Sequence, residues 1–325
     1  MALTFTELES ITDDYFMADN KKAVDIYFND SFAMHHYMNL KKGLWERPPG
    51  GRNVRIPLSY DGQSADAYNR ADALDSTDRE SINAAYFAIK HYYGNATIYR
   101  TDELQNAGEY AQVQMVVQRL MGAQKSCRKK IAQNFYSANA DTSSHITGLR
   151  AMCSETTTSK YGNIAEADLQ SDDGTYPWEG KTDTTTEVIS LDVIRTLRSD
   201  AKIGDGPGGK PDSGFTTETL FNKISAILQV QQRLREDNLT AKAGFTHVVF
   251  EGMILAADDY ATSGYLFGVN SNHAGFAVHK KGYFVRTPWA NLQSADIMGR
   301  SLKILWDGNW ICDDRRSHKA HSNLS

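Results

Sequence analysis

The stretch from Pro48 to Tyr93 limits the fold more than any other, because it reads as a long extended ribbon without a core of its own. Trp45-Glu46-Arg47-Pro48-Pro49-Gly50-Gly51 is a strong break, since two prolines and two glycines in succession continue neither a helix nor a central strand. Val54, Ile56, Leu58 and Tyr60 then alternate with Arg55, Pro57 and Ser59, the period of a half-buried strand. Pro57 has no N–H for a ladder, which places this run on a sheet edge or in a separate hairpin. Residues 61–80 are polar and turn-rich, and a second β-prone run follows from Ile82 to Tyr93. The simplest topology is an antiparallel ribbon with a wide polar tip. A two-stranded ribbon is marginal in water, so it needs a partner surface, which favours assembly over a compact monomer.

The first forty residues read as helical, with Leu8, Ile11, Tyr15 and Phe16, then Val24, Tyr27 and Phe28, at helical spacing. After the ribbon, Asp102 to Tyr136 predicts one long helix. Val113, Val116, Val117, Leu120 and Met121 share a face that Ile131 and Phe135 resume. Its charges match the helix dipole, with Asp102, Glu103 and Glu109 near the start and Lys125, Arg128, Lys129 and Lys130 toward the end. If it is continuous, such a helix runs ~50 Å at 1.5 Å per residue, with Gly108 and Gly122 as possible bends. From Gly148 to about Gly275 the chain turns Thr-, Ser-, Asp- and Gly-rich. Helices are expected after Ser190 and over Thr217–Glu236, and strands over His247–Phe250, Met253–Ala256 and Tyr265–Val269, a pattern that suggests a second α/β unit. Strands return over Gly282–Thr287, Ser301–Trp306 and Trp310–Asp313, with Asp307-Gly308 as a hairpin signal between the last two.

Formal net charge is −5, so the basic balance of a dedicated nucleic-acid binder is missing. No apolar run nears the ~20 residues that span a bilayer, and Met1 to Glu9 lacks the features of a secretion signal. Cys127, Cys153 and Cys312 are sparse and odd in number, which suits free thiols in a cytoplasm.

Candidate chemistry is thin. Gly204-Asp-Gly-Pro-Gly-Gly209-Lys210 satisfies GxxxxGK, but Pro211 stands where a phosphate-binding loop needs Ser or Thr, and a polar helix end precedes it. A surface loop is the simpler reading. His35 and His36 are adjacent and point ~100° apart on a helix, a poor pair for one metal. Cys312, His318 and His321 lack a fourth ligand and read as an exposed polar tail. Cys127 has Lys125 and Arg128 beside it, which would lower its pKa if it were exposed, but no base is placed next to it. Asp258-Asp259 reads as solvated surface. No catalytic, cofactor or metal site is expected, and the chain is read as a non-enzyme.

The order of these elements resembles the major capsid proteins of tailed bacteriophages with the Hong Kong 97-type fold. Gly50-Gly51-Arg52-Asn53-Val54-Arg55-Ile56-Pro57-Leu58 resembles the rising strand of that family's extended loop, and Glu103-Leu104-Gln105-Asn106-Ala107-Gly108 the entry to its spine helix. Gly148-Leu149-Arg150-Ala151-Met152 resembles the crossing into the axial domain. Leu266-Phe267-Gly268-Val269-Asn270, Ile304-Leu305-Trp306-Asp307-Gly308-Asn309 and Cys312-Asp313-Asp314-Arg315-Arg316 resemble the closing strands.

The resemblance implies an α+β fold with an N-terminal arm (1–40), an extended β-hairpin loop (41–93), a peripheral domain with a long spine helix (94–147), an axial α/β domain (148–275) and a return to the peripheral domain (276–325). It implies self-assembly through pentamers and hexamers into an icosahedral virion shell around double-stranded DNA, contacted without sequence preference. Assembly in a bacterial cytoplasm, a portal and room for a decoration protein follow from the resemblance, with no membrane and no cofactor. An encapsulin-type compartment is the nearer alternative, and a nucleotide-binding enzyme using residues 204–210 the remoter one. The loop residues expected at inter-subunit contacts are Arg52, Arg55, Tyr60, Asp61 and Arg70. Some relatives cross-link through a loop lysine, but no lysine lies between Lys42 and Lys90, so non-covalent contacts are expected. The chain enters the arm at once, which implies a separate scaffolding protein.

Overall fold

A computed structural model describes residues 31–40, 50–62, 65, 67–70, 80–105, 109–139, 141–155, 160–171, 174–204, 208–229, 247–293 and 297–325. Residues 31–40, the end of the segment read as an arm, form a helical turn, α1 (Phe32–Met34), that runs on into a wider turn, His35–Asn39. They are core. Phe32, Ala33 and Tyr37 are fully buried, and the Tyr37 ring stands edge-on to Trp310 with centroids 4.8 Å apart.

β1 (Asn53–Ser59) pairs antiparallel with β2 (Ile82–Ala88) in a sheet of two strands, Pro57 opposite Ala84. The second β-prone run is two strands, not one. It breaks at Ile89 and continues as β3 (Lys90–Tyr99), which leaves the ribbon and enters a larger sheet. α2 (Arg100–Gln105) and α3 (Glu109–Phe135) follow. At 27 residues, α3 spans ~40 Å. Helical structure continues through Gly122, and Val116, Leu120, Ala123, Cys127, Ile131 and Phe135 form its buried face. Gly94 on β3 lets the helix in: a Cβ there would lie 2.2 Å from the Ala123 carbonyl oxygen.

The chain then passes through α4 (Leu149–Cys153), β4 (Lys160–Tyr161), β5 (Ile164–Ala165), β6 (Thr182–Asp183), α5 (Leu191–Asp200), β7 (Ser213–Thr216) and α6 (Glu218–Gln229). As expected, Ser190 caps α5, its Oγ accepting from Val193 N at 3.3 Å. Of the helix expected over Thr217–Glu236, residues 230–236 lie outside the described residues. β8 (His247–Phe250), β9 (Met253–Ala257), β10 (Leu266–Val269), β11 (Ala274–Val278), β12 (Val285–Arg286), β13 (Ala290–Asn291), β14 (Gly299–Cys312) and β15 (Lys319–His321) complete the order. One sheet runs β6-β15-β10-β7-β9-β8; in the other, β14 pairs with β3, β11, β12 and β13.

Two sequence expectations fail here. Asp307-Gly308 makes no hairpin, because both residues lie inside the 14-residue β14. Gly308 serves close packing instead, since a Cβ would meet the Trp306 ring at 3.0 Å and the Ala277 carbonyl oxygen at 2.7 Å. Nor is the end of the chain an exposed tail. β15 is hydrogen-bonded between β6 and β10 in the six-stranded sheet, and Arg315, Ser317 and His318 are fully buried.

His318 is held neutral by this burial. Its Nδ1 accepts from Asn270 N at 3.1 Å, leaving the ring proton on Nε2, 3.0 Å from Ser317 Oγ. Desolvation lowers its pKa from 6.5 to about 3. With the folded value below the unfolded one, its contribution to stability is full above pH 6.5 and is lost as pH falls toward 3. At pH 4.5 this costs roughly 2–3 kcal/mol at 1.36 kcal/mol per pKa unit. Urea midpoints of the unassembled subunit should show that loss between pH 7 and 4.5, and His318→Gln should flatten the slope.

Between the two large sheets lies an aromatic core of Tyr37, Phe135, Phe215, Phe276, Trp306 and Trp310. Phe135 and Trp310 meet edge to face at 4.8 Å, and Phe276 and Trp310 at 5.0 Å, geometries that aromatic rings favour beyond burial alone.

Candidate assembly surface

The ribbon is better anchored than its sequence suggests. Val54, Ile56, Leu58, Ala85 and Phe87 are buried on one face. They pack on the short β4–β5 hairpin, whose two-residue turn Gly162-Asn163 has positive φ at both positions (64° and 62°), as a type I′ turn requires. Gly162 O accepts from Tyr86 N at 2.8 Å, and Phe87 stands edge-on to Tyr161 at 5.2 Å. The hairpin is held in turn by Trp178, whose Nε1–H donates to Tyr161 O at 2.9 Å.

The other face is open. Arg55 and Tyr86 are exposed opposite partners, the guanidinium 6.0 Å from the ring centroid. Ile82 is 68% exposed. Of the other residues expected at contacts, Arg52 and Arg70 are exposed, whereas Tyr60 and Asp61 are half-buried. Tyr60 packs against the chain's own core, and Asp61 accepts from Ser171 Oγ at 3.1 Å. The structure thus gathers Arg52 and Arg55 at the root and shaft, puts Arg70 on the tip, and turns Tyr60 and Asp61 inward.

Both ribbon edges are blunted. Because Tyr86 N points to Gly162, the even residues of β2 face outward, and Ala84 N is taken by Asn83 Oδ1 at 2.8 Å. By the same register Pro57 lies on the outward edge of β1, with no N–H to offer. Such devices suppress indiscriminate strand pairing. At these positions the ribbon offers no free backbone donor.

β3 differs. Arg100 N bonds to Met298 O, so the odd residues from His91 to Tyr99 aim their backbone groups away from β14, and no described residue pairs with them. Tyr93 (68%) and Tyr99 (47%) are exposed there. Sequence reasoning missed this surface by folding Tyr92 and Tyr93 into the ribbon. The signal was the alternation of Tyr93, Asn95, Thr97 and Tyr99 with Tyr92, Gly94, Ala96 and Ile98.

The chemical candidates are placed differently from the surface readings. Burial raises the Cys127 and Cys153 thiols to about 12 and Cys312 well above its ordinary value, so the basic neighbours do not activate Cys127. Asp258 is buried rather than solvated. Its Oδ2 accepts from Ser31 Oγ at 2.7 Å and Ala33 N at 3.1 Å, tethering the first described turn, and burial raises its pKa. Asp259 is exposed. The 204–210 loop joins α5 to β7, the reverse of the strand-to-helix order of a phosphate-binding loop; residues 205–207 lie outside the described residues. His35, His36, His318 and His321 are buried, and the described residues contain no metal-binding group of three or more His, Cys, Asp or Glu. No described helix is long and apolar enough to cross a membrane.

No protein-family model and no curated protein matches the sequence. Solved structures do match in fold. The capsid asymmetric unit of cyanophage A-1(L) superposes with a TM-score of 0.65 at 12% identity, over 88% of this chain and 92% of that one. The capsid of a native GTA particle gives 0.56 at 11%, over 88% and 89%. The holo-SrpI encapsulin complex of Synechococcus elongatus PCC 7942 gives 0.55 at 8%, over 88% and 87%. The protein is a mixed α+β chain with the fold shared by these phage, GTA and encapsulin shells.

Proposed function

We propose that this chain is the major capsid protein of a tailed phage, a non-enzymatic subunit that assembles into an icosahedral shell around double-stranded DNA. The observation that carries this reading is the ribbon, rooted on its own subunit yet offering a face of Arg55, Tyr86 and Ile82 that the described residues leave exposed. The α3 helix and the β14 sheet correspond on this reading to a peripheral domain, and the six-stranded sheet with α5 and α6 to an axial domain at capsomer centres. Residues Arg52, Arg55 and Arg70 make the inter-subunit contacts, while Tyr60 and Asp61 hold the ribbon's shape. A separate scaffolding protein, a portal and a decoration protein are the partners proposed with it, in a virion assembled in the host cytoplasm.

The fold is shared with an encapsulin, so a protein compartment is the second reading; the higher TM-score of the cyanophage capsid favours the first. Sedimentation and electron microscopy of the full chain, with its scaffold, should show closed particles. A strictly monomeric protein at high concentration would sink both readings. Particles isolated from the native source separate them: double-stranded DNA inside supports the capsid, a cargo enzyme the compartment.

A further inference from the structure

A cleft of about 630 Å³ opens where the ribbon meets the β14 sheet. Arg52 lines it from the ribbon side, and Lys90, His91, Ser144, His279 and Asp307 line it from the sheet side. Only Ile89 separates β2 from β3 at this point, so the cleft straddles the one-residue joint of the ribbon.

Its polar groups are mostly donors. Lys90 is 8% exposed, and its Nζ donates to Asp141 O at 2.7 Å and Ser143 O at 2.6 Å. An ammonium has three N–H groups, so one is uncommitted among the described contacts. The nearby Asp141 carboxylate attracts Lys90, but its hydrogen bonds go to Asn163 N at 2.7 Å and Thr147 Oγ1 at 3.5 Å. His279 Nδ1 accepts from Lys281 N at 3.2 Å, which puts the ring proton on Nε2 as a further donor. The Arg52 side chain has no described hydrogen-bond partner. The cleft's one carboxylate, Asp307, already engages His91 Nδ1 at 2.7 Å, and its second oxygen lies against Gly282. A buried ammonium N–H left without an acceptor is costly, and an anion in the cleft would supply one.

We propose that this cleft binds an oxyanion, a carboxylate or a phosphate, which ties Arg52 on the ribbon to Lys90, Ser144 and His279 on the sheet. The anion would fix the angle at which the ribbon leaves the subunit. Arg52 supplies a planar fork suited to two oxygens of such a group. The site needs no neighbouring subunit to form, so its test is independent of the shell reading.

The test is calorimetric titration of the full-length, unassembled subunit with inorganic phosphate. Saturable binding at one site is expected. Arg52→Gln, an exposed change that leaves the core untouched, should weaken it about tenfold, the size of one charge-assisted hydrogen bond. His279→Asn should weaken it too, and Arg70→Gln on the ribbon tip should not. Absence of saturable binding, or binding unchanged in Arg52→Gln, overturns the proposal. Repeating the titration on assembled particles identifies the source: retained binding points to a free anion, and blocked binding to a carboxylate from a neighbouring subunit already in place.

Discussion

Replacing Arg315 by methionine is expected to destabilise the folded subunit by about 3–5 kcal/mol, the cost of breaking a buried ion pair from one side. Arg315 has no solvent exposure, and Glu166 is 1% exposed. Arg315 Nε donates to Met152 O at 2.8 Å, Nη1 to Trp178 O at 2.7 Å and Nη2 to Ser154 O at 2.8 Å. Nη1 also meets Glu166 Oε1 at 3.1 Å, and the guanidinium lies 5.0 Å from the Tyr161 ring centroid. Methionine keeps much of the volume but abandons several carbonyls and one buried carboxylate. Burial already raises the Glu166 pKa, and Arg315, with a smaller contribution from Gly180 N, opposes that rise. Lysine is no substitute, because a point charge cannot serve carbonyls spread around a fork.

Urea unfolding of unassembled subunits should therefore rank Arg315→Met below Glu166→Gln, whose amide oxygen still accepts. The double change Arg315→Met with Glu166→Leu should recover part of the loss, since it removes the stranded charge. A single Arg315→Met within ~1 kcal/mol of the parent, the level of an exposed pair, would contradict this account. The consequence reaches the assembly surface. Trp178 and Tyr161, which hold the ribbon's supporting hairpin, both pack on this guanidinium.

Much of the fold was legible because local signals agreed with the tertiary outcome. The alternation over 54–60, the α3 face and the Ser190 cap each follow from one element's own periodicity. The failures share a cause. Asp307-Gly308 was read from turn chemistry, but the packing of Trp306 and Ala277 on Gly308 kept the strand straight. Cys312, His318 and His321 were read as an exposed polar tail because polar chain ends are usually solvated, and the neighbouring Arg315 and Lys319 carried no signal of burial. The partners of Arg315, His318 and Lys319 are Glu166, Asn270 and Asp200, 149, 48 and 119 residues away in sequence, beyond the reach of any local pattern. Of the five loop residues expected at contacts, Arg52, Arg55 and Arg70 face solvent, while Tyr60 and Asp61 answer to segments that sequence spacing cannot locate.

Removing residues 62–79 together with Glu80→Gly should leave a folded subunit that assembles poorly. The cut is placed where the ladder ends, since Tyr60 N still reaches Ser81 O at 3.0 Å, and it joins β1 to β2 through an Asp-Gly pair suited to a two-residue turn. The buried face of Val54, Ile56, Leu58, Ala85 and Phe87 stays on its hairpin, so unfolding free energy should change by less than ~1 kcal/mol, as for surface changes away from packed sites. What is lost is reach, with Tyr68 and Arg70, exposed on the tip, going with it. A shell repeats each contact at every subunit, so a modest loss per contact multiplies across the particle. Particle yield by sedimentation should fall at least about tenfold, the effect of ~1.4 kcal/mol at a single contact. If the shortened chain closes into particles as efficiently as the parent, the tip is not a contact and the ribbon's root alone drives association. If it fails to fold, the hairpin beneath the ribbon does not support it as described. Near-parental stability with few or no particles is the outcome that ties the tip of the ribbon to assembly.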